Sequence, residues 1–356
     1  MKKFTLTSLI SYVIISFSGI FNLQAQEYDP FIQDRIDMLN YDSLLITLQE
    51  FEDLGIKDIY SQEIEETAQW IIDKYEYWGY ENIQLDTFIT SGQTLYNIVI
   101  TKTGTLYPDE YIIIDGHYDT YNGPGVNDNG TGTAIVLEVA RILKDIPTEY
   151  SIKFIHFSAE EMGLIGSSHY VQNVVIPEDL NIRLVFNIDE VGGVAGEVNN
   201  TITCERDESP PTSNNEASAA FTDTLASLTE MYSSLESYIS YAYGSDYVPF
   251  MQNGYVVTGY YEYNESPYPH TIHDSLSNID VDYVFEITKS SVGASLYFAH
   301  AFDPNTGVNP LTENSAIGVY PNPFEKSFEV KNPTEKDLIM TLFDTHGKEL
   351  LQLKLG

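Results

Sequence analysis

The chain has 356 residues, 43% hydrophobic and 20% charged, which builds a packed core and excludes a disordered or fibrous protein. Asp and Glu number 53 against 17 Lys and Arg, a formal net charge of −36 that repels polyanions, so no nucleic-acid or anionic-membrane partner is expected. The single cysteine, Cys204, allows no internal disulfide, and nothing in its surroundings (ITCERD) activates the thiol.

In chain order, Lys2 and Lys3 precede an apolar, serine-punctuated run over residues 6–21, with a small residue at Ala25. This is the pattern of a signal peptide over residues 1–25, too short and broken for a stable membrane span, and it predicts an exported mature chain. Apolar residues Ile32, Ile36, Leu39, Leu44, Leu45 and Leu48 recur at helical spacing and predict a helix over 31–54; a second covers about 63–78, closed by Gly79. Residues 82–89 alternate like a half-buried strand, and 95–101 and 111–114 are the next strands. The interval 103–109 is too short for a helical crossover, so those two strands are expected to form an antiparallel pair.

Strands and helices then alternate: helix 131–143, strand 152–157, helix 163–174, strand 182–188. That order predicts right-handed crossovers and an α/β fold with a mixed, largely parallel central sheet flanked by helices on both faces. Residues 199–216 are polar and Pro-punctuated and read as a surface excursion. A helix over 217–234, a loop rich in Tyr and Ser, a strand over 254–261 and a helix over 281–302 complete a domain spanning 26–303. Composition changes there: 304–314 reads as a linker, and 315–356 as short alternating segments with Asn-Pro and His-Gly turns, a small β-sandwich module. Too few strands are present to close a sandwich, so the sequence is expected to be incomplete at that end.

Polar residues gather at the predicted strand ends. His117 and Asp119 follow the strand 111–114, and Asp128 sits in the Gly/Pro/Asn-rich loop beyond, before Gly130-Thr131-Gly132-Thr133 opens a helix. Glu160 and Glu161 follow strand 152–157, Asp189 follows 182–188, and His270 follows 254–261. Each alone has a plain structural reading: a turn signal at Asn-Asp-Asn-Gly, a helix-dipole complement at Glu160-Glu161, a cap at Asp189, a surface imidazole at His270. Together, His117, Asp128, Glu161, Asp189 and His270 would converge on one rim of the wound sheet. So many carboxylates repel unless cations compensate them, and two His with three carboxylates, one shared, suit two zinc ions.

The segments GHYDT, PGVNDNGTGTA, FSAEEMGLIGSSHY, NIDEVGG, SDYVPF and PHTIHDSLSNID, in this order, resemble the co-catalytic di-zinc aminopeptidase family, which also contains glutaminyl cyclases and glutamate carboxypeptidases. The resemblance runs from about Leu95 to His300. It implies a zinc-dependent aminopeptidase domain over 26–303 that cuts the N-terminal peptide bond of peptides with a free N-terminus. It implies Asp128 as the bridge between the two ions, His117 and Asp189 completing one site, Glu161 and His270 the other, and Glu160 as general base. It also implies Asp119 steadying His117, a cis peptide after Asp128, and Tyr241 or Tyr243, with Asp246, as substrate contacts. Tyr247 departs from the family, which commonly has His there. His156 and His169 read as packing residues, His273 is ambiguous, and His300 and His346 carry no role. Two other readings stand beside this one: a glutaminyl cyclase, which keeps nearly the same residues, and an inactive binding protein on the same fold.

In the tail, VYPNPF, FEVKN and LFDTHGKEL are similar to the C-terminal sorting domain of type IX secretion in Bacteroidetes-like bacteria. That resemblance implies handling by the type IX machinery and a secreted or cell-surface location beyond the outer membrane of a Gram-negative cell.

Overall fold

The computed structural model describes residues 27–242 and 244–304, together with the strand segments 318–320, 329–331, 338–343 and 349–355. The expected signal peptide, the linker, most of the sorting module and Tyr243 lie outside the described residues. Of the tail, Gly318–Tyr320 pairs antiparallel with Glu329–Lys331, and Leu338–Phe343 with Glu349–Leu355.

Eight strands form one sheet: β1 (Ile83–Thr90), β2 (Gln93–Lys102), β3 (Tyr107–His117), β4 (Tyr150–Phe157), β5 (Asn181–Ile188), β6 (Thr201–Arg206), β7 (Glu236–Tyr241) and β8 (Val257–Glu262). Their spatial order is β1-β2-β4-β3-β5-β8-β6-β7. The central run β4-β3-β5-β8 is parallel throughout, whereas β1/β2, β2/β4 and β6/β8 pair antiparallel. The fold is therefore the expected mixed α/β sheet.

The sheet is buried on both faces, which is why its central strands read as unbroken apolar runs. Ile112 and Ile114 join the core beneath α4 (Gly132–Leu143), α6 (Asn215–Tyr232) and α8 (Val281–Phe298), while Ile113 joins a second core with Val171, Phe250 and Met251. All three isoleucines are fully buried, each worth roughly 1.5–3 kcal/mol of transfer free energy. Two short helices, α5 (Ile165–Tyr170) and α7 (Val248–Gln252), lie on that second face.

Four expectations are corrected. The helix predicted over 31–54 is two, α1 (Pro30–Ile36) and α2 (Tyr41–Asp53); Asn40 caps the second by accepting from Ser43 N at 3.0 Å, followed by α3 (Glu63–Tyr77) as predicted. Strands β2 and β3 do not pair, because β4 inserts between them. Their link crosses the start of β4: Thr105 N and Tyr107 N donate to Thr148 O and Glu149 O, and a Cβ on Gly104 would lie 2.4 Å from the Tyr150 carbonyl carbon, so only glycine fits. The supposed surface excursion holds β6, a strand within the sheet, and the Tyr/Ser-rich loop holds β7. Both are short; β6 is mostly buried, its Glu205 O accepting from Thr222 Oγ1 at 3.0 Å, whereas β7 leaves Glu236, Tyr238 and Tyr241 exposed.

Candidate active site

Four parallel neighbours deliver their carboxyl ends to one rim. β3 ends on His117; β4 leads to Glu160 and Glu161, β5 to Asp189, and β8 to the loop that carries His270. Asp128 enters from the turn at Val126–Thr131 that precedes α4. The Asn-Gly-Thr-Gly-Thr stretch fastens that turn. Asn129 Nδ2 donates to Ile188 O at 2.9 Å, Gly132 N to Asn129 Oδ1 at 2.8 Å, and Thr133 Oγ1 to His117 O at 2.7 Å. A Cβ on Gly132 would lie 2.1 Å from Ile188 O, so the start of α4 touches the end of β5 directly. The Asp128–Asn129 peptide is cis.

The five expected ligands meet as two triads sharing Asp128. His117 Nε2 lies 3.3 Å from Asp128 Oδ1 and 3.4 Å from Asp189 Oδ1. On the other side, His270 Nε2 lies 3.1 Å from Asp128 Oδ2 and 2.7 Å from Glu161 Oε2. Within each triad the ligating atoms lie within 4.8 Å of one another. Among the described residues, His117 Nε2, Asp189 Oδ1 and Glu161 Oε1 are buried polar atoms without a hydrogen bond. Such atoms are costly to bury unless something coordinates them, and imidazole nitrogens with carboxylate oxygens are a zinc donor set. Each triad is therefore a donor set that fits a zinc ion.

Burial and mutual repulsion act on the carboxyls. Burial, then Asp128, pushes Glu161 up to about 9; burial, with Asp246 and Asp189 adding, holds Glu160 well above the usual carboxylate range. Burial acts on Asp128 too, but His117 and His270 grip it from both sides and bring its pKa below the usual value. Glu160 Oε2 sits 4.0 Å from His117 Nε2, and Glu160 lines a cavity of about 290 Å³ with Asp128, Glu161, Asp189, Glu190 and His270.

Asp119 does more than was expected of it. Its backbone carbonyl, not its carboxylate, is the nearer partner of His117 Nδ1, at 3.1 Å against 3.7 Å for Oδ1. The carboxylate instead accepts from Glu160 N at 3.1 Å and Glu161 N at 3.2 Å, fixing the turn at the end of β4. One residue thus orients a ligand on each side.

Two expected substrate contacts do not line the cavity of the triads. Tyr241 ends β7, the outermost strand, where it is 58% exposed and lines neither site cavity. Asp246 is fully buried and lines neither cavity; burial pushes its carboxyl up to about 7, against the pull of His117. His156 is buried against Tyr75 and His169 contacts Asp86, as packing residues do.

Sequence reasoning missed several residues that build the site. Ser245 Oγ donates to Asp189 Oδ2 at 2.5 Å and accepts from Asn187 Nδ2. Asp274 accepts from the consecutive amides of Asn127 (2.7 Å) and Asp128 (3.0 Å), holding the bridge from behind. Glu262 accepts from Asn127 Nδ2 and Gly193 N, tying that loop to the end of β5. Tyr247 Oη donates to Glu205 Oε2 at 2.6 Å. Ser245, Tyr247 and Asp274 stand inside the SDYVPF and PHTIHDSLSNID segments, but a polar residue aimed at a backbone amide or a buried partner has no spacing signature.

Comparisons with known proteins agree with this geometry. Aminopeptidase YwaD of Bacillus subtilis is 43% identical over 104 residues, which is 29% of this chain and 23% of that protein. An aminopeptidase of Pseudomonas aeruginosa is 39% identical over 99 residues, 27% of this chain and 18% of that one. The matched stretch thus spans less than a quarter of the length of these curated relatives. Among solved structures, LapB from Legionella pneumophila superposes with a TM-score of 0.67 over 77% of this chain and 76% of that one; at 21% identity this is a likeness of fold. BSAP, a zinc aminopeptidase from Bacillus subtilis, is 30% identical with a TM-score of 0.50, covering 58% of this chain and 51% of that one. Residues 97–292, more than half of the sequence and the stretch that contains both triads, match Peptidase family M28, and the chain belongs to that family.

Proposed function

We propose that the protein is a zinc-dependent aminopeptidase that removes the first residue from peptides with a free N-terminus. The observation that carries this reading is Asp128, whose two carboxylate oxygens face two separate triads, with Glu160 beside them in the same cavity. His117, Asp128 and Asp189 would hold one zinc ion, and Asp128, Glu161 and His270 the other. Zinc supplies Lewis acidity toward the scissile carbonyl and lowers the pKa of bound water.

This chain's residues do the rest. Glu160 takes a proton from the attacking water as the new C–O bond forms, and returns it to the amine nitrogen as the C–N bond then breaks. Asp119 holds the Glu160 and Glu161 amides and thereby the reach of both side chains. The rim of carboxylates, Glu190 among them, suits the α-ammonium of the substrate and disfavours a blocked N-terminus.

The same reading places the enzyme outside the cell, with residues 1–25 as its leader and residues 315–356 as a sorting module for type IX export. No helix among the described residues is long and apolar enough to cross a membrane. The deciding experiment purifies the protein without chelator, measures bound zinc, and assays aminoacyl amides and peptides with free or acetylated N-termini. Hydrolysis of the first bond only, abolished by chelator and restored by zinc, is the expected result. Failure of zinc-loaded protein to cut any free N-terminal peptide overturns the assignment, and ring closure of N-terminal glutamine without cleavage selects a cyclase instead.

A further inference from the structure

A second, smaller cavity of about 100 Å³ opens beyond Asp189 and Glu190, and is also lined by Glu205, Ser245, Tyr247 and Tyr261. It shares Asp189, Glu190 and Gly244 with the larger cavity, so the two are continuous at the metal-binding rim. Two features set its chemistry. Glu205, on β6 and 3% exposed, lines the cavity with its Oε2 fixed by the Tyr247 hydroxyl at 2.6 Å. Tyr261 Oη reaches towards Glu190 Oε2 at 3.5 Å, and no lysine, arginine or histidine among the described residues lines the space. Glu205 and Glu190 thus put two acidic side chains into one space, which favours a ligand that brings positive charge and hydrogen-bond donors.

We infer that this cavity is the specificity pocket for the substrate's first residue and that it selects a cationic side chain, lysine or arginine. The inference rests on the aminopeptidase reading above. The α-ammonium lies only two bonds from the scissile carbonyl carbon and so stays in the larger cavity near Glu160. Only the first side chain can extend past Asp189 to Glu205. The ammonium or guanidinium end meets Glu205 and Glu190, and the tyrosine rings pack along its methylene stem.

The test compares lysyl and norleucyl 4-nitroanilides, whose side chains differ essentially in the terminal ammonium. The wild-type kcat/KM should favour lysyl by about ten- to a hundredfold, the range of a charge-assisted hydrogen bond. Glu205→Gln should shrink that ratio by a similar factor, with zinc content and melting temperature confirming the fold. A norleucyl preference in the wild type, or an unchanged ratio in the variant, overturns the pocket assignment while leaving the aminopeptidase reading intact. Absence of turnover on both substrates overturns the aminopeptidase reading instead. Should Glu205→Gln not fold, inhibition of the wild type by free L-lysine and L-norleucine decides: lysine is expected to bind at least tenfold tighter, and equal binding rejects the pocket.

Discussion

The two triads share one aspartate but are built in different ways. His117 and Asp189 follow directly from β3 and β5 and are almost wholly buried. His270 sits on the loop between β8 and α8, its side chain 53% exposed, its backbone at φ 61°, with the edge of the Tyr121 ring beside it. The first triad is therefore a property of the sheet. The second depends on loops pinned by hydrogen bonds from behind, through Asp119 on one side and Asp274 on the other. A family fold can thus guarantee half of a site by topology and must secure the other half residue by residue.

That contrast can be broken at several points. The largest effect concerns the residue beside the triads: Glu160→Gln should lower kcat/KM by about 10²–10⁴-fold with bound zinc retained, measured by steady-state assay and metal analysis. Most of the activity surviving would remove Glu160 from its role. Next, His117→Ala and His270→Ala compared in chelator should differ in stability. Removing the buried imidazole strands Asp128 and Asp189 and should cost about 3 kcal/mol in urea unfolding, whereas the exposed one should cost under about 1 kcal/mol. Equal losses would show that the triads are structurally equivalent.

Asp274→Ala tests the pinning directly. The Asp274 carboxylate accepts from the Asn127 and Asp128 amides, and Asp128 belongs to both triads, so the variant should weaken zinc binding as a whole by about ten- to a hundredfold in competition with a chelator. Unchanged zinc affinity would mean that the Asp128 turn holds its place without Asp274. The smallest effect separates sheet from site. His156 on β4 is fully buried against Tyr75 Oη at 2.9 Å, and burial lowers its pKa to about 3. Its folded pKa lies below its unfolded value, so its stabilisation is complete above about pH 6.5 and is lost as pH falls towards 3. Between pH 6.5 and 5.5 this group should remove about 1 kcal/mol of stability, and His156→Gln should flatten that slope. An unchanged slope would assign it elsewhere.

Legibility in the sequence followed the same divide. His117 and Asp189 could be placed because an apolar run that ends in a polar residue marks a strand end, and strand ends in a parallel sheet share a rim. Glu161 could be placed in the same way, after the strand 152–157, whereas His270 lies nine residues beyond the predicted strand 254–261, where a loop has no period to fix its position. Glu205 and Tyr247 were read as a surface stretch and an oddity. Their partnership joins a strand hidden in a polar, Pro-punctuated segment to a residue 42 positions later, and no local pattern records it. Asp246 was expected as a substrate contact only through the resemblance of the SDYVPF segment, and its side chain is fully buried. The false pairing of β2 with β3 came from counting link length alone, without the strand that arrives later to sit between them.

That inserted strand has a consequence during synthesis. Both neighbours of β3 are downstream of it: β4 at 150–157 and β5 at 181–188. As the chain leaves the ribosome, the Ile112-Ile113-Ile114 run and the His117 behind it have no strand to join until some forty further residues have emerged. The segment that anchors the active centre is thus also an apolar stretch that a growing chain carries for a time without a strand partner.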